Sequence, residues 1–277
     1  MKTKLHFLPT TAMGLMAAVL FGVSAAEMRA ESSAKRKKPT SKLYVAEVEG
    51  VASINTGDRI DDLVQKSVYS AEGTIIESRP DATTAIVLSN GTGMCFDPNT
   101  ELDIRRFQQE PFSPNRNDPE VEPSISQTNG WLPHGVIGLC NSKMVAGSTM
   151  NFSTPQAVMA VHARKVVVET TDTETRISVI DGEVTVQGGL SGGGETVNTG
   201  QQAVITRSSP TAPSVVKIQP IPPEQSKPLS DRVAIACMAR KTVYFDVDKT
   251  DPNEIIPKPV VPPGPYIPPV SPYIISH

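Results

Sequence analysis

The chain has 277 residues, with 26 basic and 29 acidic side chains and a formal net charge of −3. This balance gives no global attraction to nucleic acid or anionic lipid, so nucleic acid is not expected as a partner. Loss of the two lysines in the N-terminal leader described next would move the net charge to about −5.

Residues 1–26 have the order of a secretory signal peptide. Lys2 and Lys4 form a basic start, and an apolar run over 12–23 ends in small residues. We therefore expect cleavage after Ala26, which would place the mature chain in the periplasm or outside the cell. An uncleaved membrane anchor is the alternative, because the apolar stretch approaches the length of a bilayer span. After signal peptide removal no membrane span is expected.

Composition divides the mature chain further. Of the 25 prolines, 15 follow residue 207, and proline-rich chain favours extended polyproline II without internal hydrogen bonds. The predicted segments are a basic disordered stretch at 27–40, a β domain at 41–207, a Pro-rich connector at 208–229, a short helix–strand element at 230–250 and a Pro-rich tail at 251–277.

The β domain is predicted from apolar alternation with a period of two and from turn residues between the alternating runs. Ala85–Leu88 leads into Asn90-Gly91, a dipeptide typical of tight hairpins. Arg176–Ile180 and Glu183–Gln187 flank Asp181-Gly182 in the clearest hairpin pattern of the chain. Many short strands at regular spacing predict an all-β fold, either a β-sandwich or a rolled β-solenoid.

Two loops and one helix interrupt this pattern. Residues 111–130 and the glycine-rich 188–194 are expected to be loops, the second a mobile hairpin tip. Ser230 is a candidate helix cap for a short helix ending near Lys241, followed by a strand at 243–247. We expect this helix–strand element to dock on the β domain.

The segment Thr154–Thr170 carries the one cluster that could be a site. Its alternation predicts a single strand over 158–168, on which His162 and Arg164 project from the same face. Two groups of like sign side by side argue against an activated catalytic base. They favour a solvated or anion-facing edge, so His162 and Arg164 are possible partner contacts.

The three cysteines, Cys95, Cys140 and Cys237, leave their pairing open. An exported chain meets an oxidising compartment, where two of them could form a disulfide and one would remain. All three have apolar neighbours in the sequence, which favours buried free thiols.

No pattern of catalytic or metal-binding residues stands out, so we expect a non-enzymatic protein without cofactor or metal. The sequence contains no Cys-x-x-Cys or His-x-x-x-His spacing for zinc. The acidic run 246–251 begins like a calcium loop but lacks its central glycine. The Pro-rich tail carries Tyr266 and Tyr273, which are further possible partner contacts, although the tail could equally be a spacer or lie across the β domain.

The order of motifs resembles the FecR domain, an extracytoplasmic all-β module of envelope signalling proteins. The resemblance covers roughly residues 43–207. Its motifs in this chain are Gly50-Val51, Gly57-Asp58-Arg59-Ile60, Leu88-Ser89-Asn90-Gly91, Asp97–Leu102, Gly135–Gly138, Phe152–Pro155, Val179–Val184 and Thr199–Gln202.

The chain departs from the FecR pattern where family members usually have Val-Arg-Gly-Thr. Here Val161-His162-Ala163-Arg164 stands instead, and alanine cannot replace a glycine that needs a positive φ. Only about forty residues precede the β domain, so an anti-sigma role is not expected. The resemblance implies a stand-alone exported module that binds or scaffolds an envelope protein or polymer. Envelope signal transduction is the alternative, a Cys- or His-dependent enzyme is a distant one, and the oligomeric state is open.

Overall fold

In a computed structural model, residues 41–112, 120–187, 194–209, 212–248 and 256–262 are described, and they are mostly β-strand, which confirms the all-β prediction. The elements are β1 (Lys42–Glu49), β2 (Ala52–Asn55), β3 (Ile60–Asp62), β4 (Val68–Ser70), β5 (Thr74–Ser78), β6 (Thr83–Leu88), β7 (Gly93–Phe96), β8 (Thr100–Gln109), β9 (Ser126–Cys140), β10 (Thr149–Ser153), β11 (Val158–Val161), β12 (Lys165–Thr170), β13 (Glu174–Asp181), β14 (Glu183–Gln187), β15 (Gly194–Asn198), β16 (Gln201–Thr206), β17 (Val215–Pro220), α1 (Pro223–Lys241), β18 (Tyr244–Asp248) and β19 (Ile256–Val260).

The strands form two layers that share β9. The first layer has the order β17-β16-β13-β12-β9-β7-β6-β1-β4, and all its pairs are antiparallel. The second has the order β3-β2-β5-β8-β9-β10-β11-β14-β15, and only the β9–β10 pair is parallel. β9 passes between the layers after His134, where its partner changes from β8 to β12.

The core lies between the two layers. Alternate residues of each strand point inward, as in β5, where every second residue is buried. A one-residue slip in register would turn these side chains to solvent, so burial fixes the pairing. The largest fully buried side chains are Phe96, Phe107, Phe152, Leu43, Ile54, Ile76, Ile86, Leu88, Met94, Leu102, Ile104 and Leu132.

Helix α1 covers the outer face of the first layer. Its buried residues Leu229, Val233, Ala236 and Ala239 recur every three or four positions and therefore lie on one stripe. They pack on side chains that the strands direct away from the core, including Val167 of β12. The helix approaches β7 so closely that a Cβ on Gly93 would lie 2.1 Å from the carbonyl oxygen of Ala236. The helix therefore docks on the β domain, as the sequence indicated.

The helix begins earlier than predicted. Its first residue is Pro223, and the N-cap position is Pro222, which makes no side-chain cap hydrogen bond. Proline suits the first helical position because its missing N–H would be unsatisfied there. Ser230 lies inside the helix and is exposed, so its prediction as the cap was wrong. Pro228 also lies inside the helix, within its first two turns.

Both proline-rich segments contain hydrogen-bonded strand. β17, inside the predicted connector 208–229, pairs with β16 over six residues. β19, inside the predicted tail 251–277, pairs with β18 and places its two prolines in a two-stranded ribbon. Proline is admitted in edge strands because one side of such a strand makes no ladder hydrogen bonds. The expectation of unpaired polyproline II is wrong for these two stretches.

The loop predicted at 111–130 ends sooner, because residues 126–130 already belong to β9. The strand predicted at 158–168 is two strands, β11 and β12, separated by a connector at 162–164. The predicted signal peptide, the basic stretch 27–40 and most of the glycine-rich loop 188–194 lie outside the described residues. Among the residues that are described, no helix is long and apolar enough to cross a membrane.

Candidate functional site

The connector between β11 and β12 holds the predicted contact residues His162 and Arg164. Both side chains are exposed, while Ala163 between them is buried. The connector's backbone is bonded to the β13–β14 turn: the N–H of His162 donates to the carbonyl of Glu183, and that of Arg164 to the carbonyl of Asp181. The connector is therefore held in one conformation.

The chain has Ala163 where the FecR pattern has a glycine, and the β13–β14 turn that faces Ala163 leaves room for its side chain. Lys66 and Asn99 are the non-glycine residues with positive φ in the described part of the chain, so Ala163 keeps a negative φ. The backbones of the connector and the turn approach each other closely at Gly182, where an added Cβ would lie 2.6 Å from the Cα of Ala163. Asn141 fixes the other side, because its side-chain Nδ2 donates to the carbonyl of Ala163 at 2.8 Å.

Two arginines converge on one carboxylate beside this connector. Arg164 Nη2 lies 2.6 Å from Oε2 of Glu120, and Arg240 Nη1 lies 3.2 Å from the same oxygen. Arg164 comes from the connector, Arg240 from the last turn of α1, and Glu120 from the segment before β9. The three residues are far apart in the sequence and meet only through the fold. We call the two arginines the Arg164–Arg240 pair.

The two arginines differ in how firmly they are held. The Arg164 side chain is 48% exposed, whereas that of Arg240 is 6% exposed. Besides Glu120, Arg240 donates to the carbonyl of Gly91 at 3.1 Å and to Oγ of Ser142 at 2.8 Å. A buried guanidinium is tolerated only when its donors are met, and here the neighbouring turns provide the acceptors. Arg240 is thus positioned in advance by the fold.

A disulfide fixes the helix that carries Arg240. Cys237 in the last two turns of α1 is bonded to Cys140 at the end of β9, across 97 residues of sequence. The expectation of buried free thiols is therefore wrong for these two cysteines, which pair because the docked helix brings them into contact. It holds for Cys95, whose free thiol is buried under α1. Burial raises the pKa of the Cys95 thiol to about 11.

The segment bearing Glu120 is itself tied into the fold. Val121 forms a parallel bridge with Lys143, whose N–H donates to the carbonyl of Glu120 at 2.7 Å. Next to it, Glu122 is buried and accepts hydrogen bonds from Asn90, Ser126, Ser148 and the N–H of Val145. These donors satisfy the buried Glu122 carboxylate, so it serves as a structural anchor of the segment.

The other residues that the sequence singled out do not join this group. Tyr266 and Tyr273 lie outside the described residues, as does part of the acidic run 246–251. His134 is exposed on β9, opposite Glu101 of β8. Over the described ranges, no group of three or more His, Cys, Asp or Glu side chains is arranged to hold a metal ion.

Comparison with known proteins gives little further information. No protein-family model matches the chain, and no curated protein matches it. Two crystal structures of a candidate anti-sigma factor from Parabacteroides distasonis ATCC 8503 overlap with 53% of this chain, at 14% identity and TM-scores of 0.38 and 0.37. The overlap spans 60% of that protein. A similarity of this size does not establish a common fold, and the FecR resemblance stays a prediction from the motifs.

Proposed function

We propose that this chain is an exported, non-enzymatic β module that binds a protein or polymer of the bacterial cell envelope. The observation that carries the proposal is the disulfide between Cys140 and Cys237. Disulfides persist in oxidising compartments and are rare in the cytosol, which supports the export that the N-terminal 26 residues predict. The same bond fixes α1 on the β layers, so the surface beside it is rigid.

Binding is favoured over catalysis by the roles that the reactive side chains already have. Two of the three cysteines are bonded to each other, and burial keeps the third as a neutral thiol at neutral pH, because its pKa is raised to about 11. His162 is exposed, and its backbone N–H donates to the carbonyl of Glu183, so the residue has a place in the connector that needs no catalytic role. The connector at 162–164 offers a ligand positioned charge on a rigid backbone. Complementary charge of this kind gives specificity in protein binding.

Export and disulfide formation can be tested together on the full chain expressed in a bacterial host. Intact-mass measurement of the protein, alkylated in denaturant with and without prior reduction, reports both the cleavage site and the thiol count. We expect a mature chain beginning at Glu27, with one alkylated thiol before reduction and three after it. An uncleaved chain with three free thiols would contradict the proposal.

Binding is tested by capture from envelope extract. The mature chain, a variant ending at Pro262 and an Arg164→Gln variant are compared as bait. We expect a defined partner that is captured by the truncated chain but not by Arg164→Gln, because the connector at 162–164 rather than the tail makes the contact. Equal capture by all three baits, or loss only on truncation, would refute the role of this connector. Retention of the chain in carbonate-washed membranes would favour envelope signalling instead.

A further inference from the structure

The Arg164–Arg240 pair has the properties of a carboxylate-binding site that is occupied by the chain's own Glu120. Both guanidinium groups point at a single carboxylate oxygen, at 2.6 and 3.2 Å. Arginine is the side chain best suited to this task, because its planar fork of donors matches a carboxylate and stays charged at any ordinary pH. We propose that an acidic peptide segment of a partner protein displaces Glu120 and binds this pair through its own carboxylate. The inference rests on the proposed function and names the chemistry of its partner.

Unequal burial makes the exchange possible. The side chains of Glu120 and Arg164 are 51% and 48% exposed, so this half of the group is open to solvent and its ion pair is only weakly stabilising. Arg240 is held in place by Gly91 and Ser142 whether or not Glu120 is present. Displacing Glu120 therefore leaves a preorganised cation that a second carboxylate can reach from solvent, with little loss of side-chain freedom.

A peptide is favoured over other anions by the nature of the present occupant. Glu120 is borne on a segment whose backbone hydrogen-bonds to Lys143, so the site already accepts a glutamate presented by a peptide chain. Glu122, two residues on, is buried and stays as an anchor when Glu120 leaves. The exchange thus involves one side chain and does not require the segment to unfold.

The test measures the affinity of the full mature chain for fluorescein-labelled hexaglutamate, with hexaglutamine as the uncharged probe. Glu120→Gln removes the internal competitor and keeps its shape, and Arg164→Gln removes the exposed half of the pair. We expect Glu120→Gln to tighten hexaglutamate binding about threefold and Arg164→Gln to weaken it about threefold, since one half-exposed charge pair changes in each. Hexaglutamine should bind neither variant.

Matched controls come from a partly exposed ion pair on β8. Arg105 Nε lies 2.9 Å from Oδ2 of Asp103, with the arginine 55% exposed. Arg105→Gln and Asp103→Asn make the same chemical changes away from the site and should leave hexaglutamate affinity unchanged. Circular dichroism and thermal unfolding check that each of the four variants is folded. If Glu120→Gln binds no better than the native chain, or no better than Asp103→Asn, the proposal is refuted.

The outcomes separate this inference from the proposed function. If an envelope partner is captured equally by the native chain, Glu120→Gln and Arg164→Gln, the chain is a binding module whose contact lies elsewhere. The proposed function would then stand and this inference would be refuted. The expected hexaglutamate pattern without any envelope partner would support the site and contradict the broader proposal. Binding of polygalacturonate with the same pattern, in the absence of hexaglutamate binding, would overturn the peptide assignment.

Discussion

The disulfide between Cys140 and Cys237 should contribute a large share of the stability of the fold. The bond closes a loop across 97 residues of sequence. Chain-entropy estimates assign such a loop roughly 4–5 kcal/mol, and removal of a native disulfide costs about 2–5 kcal/mol in practice. We expect reduction to lower the free energy of unfolding by an amount in the lower half of this range, because the reduced helix keeps its other contacts.

Those other contacts can be named. Leu229, Val233 and Ala236 remain packed on the first layer, and Arg232 still forms its ion pair with Asp97 of the β7–β8 turn. Reduced protein should therefore stay folded at room temperature with α1 more weakly attached. For a domain of this size, a loss of about 2–3 kcal/mol corresponds to a fall in Tm of roughly 4–12 °C.

The assay is urea unfolding followed by circular dichroism, with and without a phosphine reductant. The double variant Cys140→Ala/Cys237→Ala is the control, since its midpoint should not respond to the reductant. Comparing native protein before and after reduction isolates the crosslink from any packing change caused by substitution. An unchanged midpoint on reduction of the native chain would show that the bond is absent or that α1 does not depend on it.

Three further predictions concern the core, one turn and the free thiol. Phe152→Ala should lower the free energy of unfolding by about 3–5 kcal/mol in urea titration, because it opens a cavity between the layers, and a loss under about 1 kcal/mol would contradict the core assignment. Gly182→Ala should lower the Tm more than Gly200→Ala in thermal unfolding. Both glycines have positive φ, but only at Gly182 would the new Cβ meet backbone atoms. A larger fall in Tm for Gly200→Ala would refute this argument. Burial raises the pKa of Cys95 from 9.0 to about 11, so the unfolded chain loses this proton first as the pH rises, and stability should fall between pH 9 and 11. Cys95→Ala should flatten that fall, and an equally steep decline in the variant would assign it to other groups.

The layers could be predicted because their signal is local. Alternation and turn residues identified the strands on both sides of Gly182 and the hairpin at Asn90-Gly91, and the structure places strands at both. The predicted hairpin at Asp181-Gly182 was wrong, because β13 pairs with β12 and β16 in the first layer while β14 pairs with β11 and β15 in the second. The same alternation failed at 158–168, where it continues through a break that the backbone makes at His162–Arg164. Burial pattern alone cannot distinguish a strand from a connector whose side chains happen to alternate.

Some strands also carry a signal of burial on both of their faces. β6 and β7 are buried on both faces over almost their whole length, and β12 contains the unbroken run Val166-Val167-Val168. Continuous apolar strands are typical of sheets covered on both sides. These runs therefore indicate that a further element packs on this layer, and α1 is that element.

The Arg164–Arg240 pair could not be found in this way, because its members share no local pattern. Arg240 lies 120 residues from Glu120 and 149 from Gly91, whose carbonyl helps to hold it. Its placement follows from the docking of α1, and that docking is fixed by a cysteine pairing which the sequence leaves open. Cys140 is the last residue of β9, and Asn141 and Ser142 follow it. Arg240 lies three residues after Cys237, which is almost one full helical turn, so it is on the same side of α1. Once Cys237 is joined to Cys140, Arg240 therefore lies beside Asn141 and Ser142. With the cysteine pairing known, the position of Arg240 could have been predicted from the sequence. Peptide mapping of the unreduced protein would determine that pairing directly.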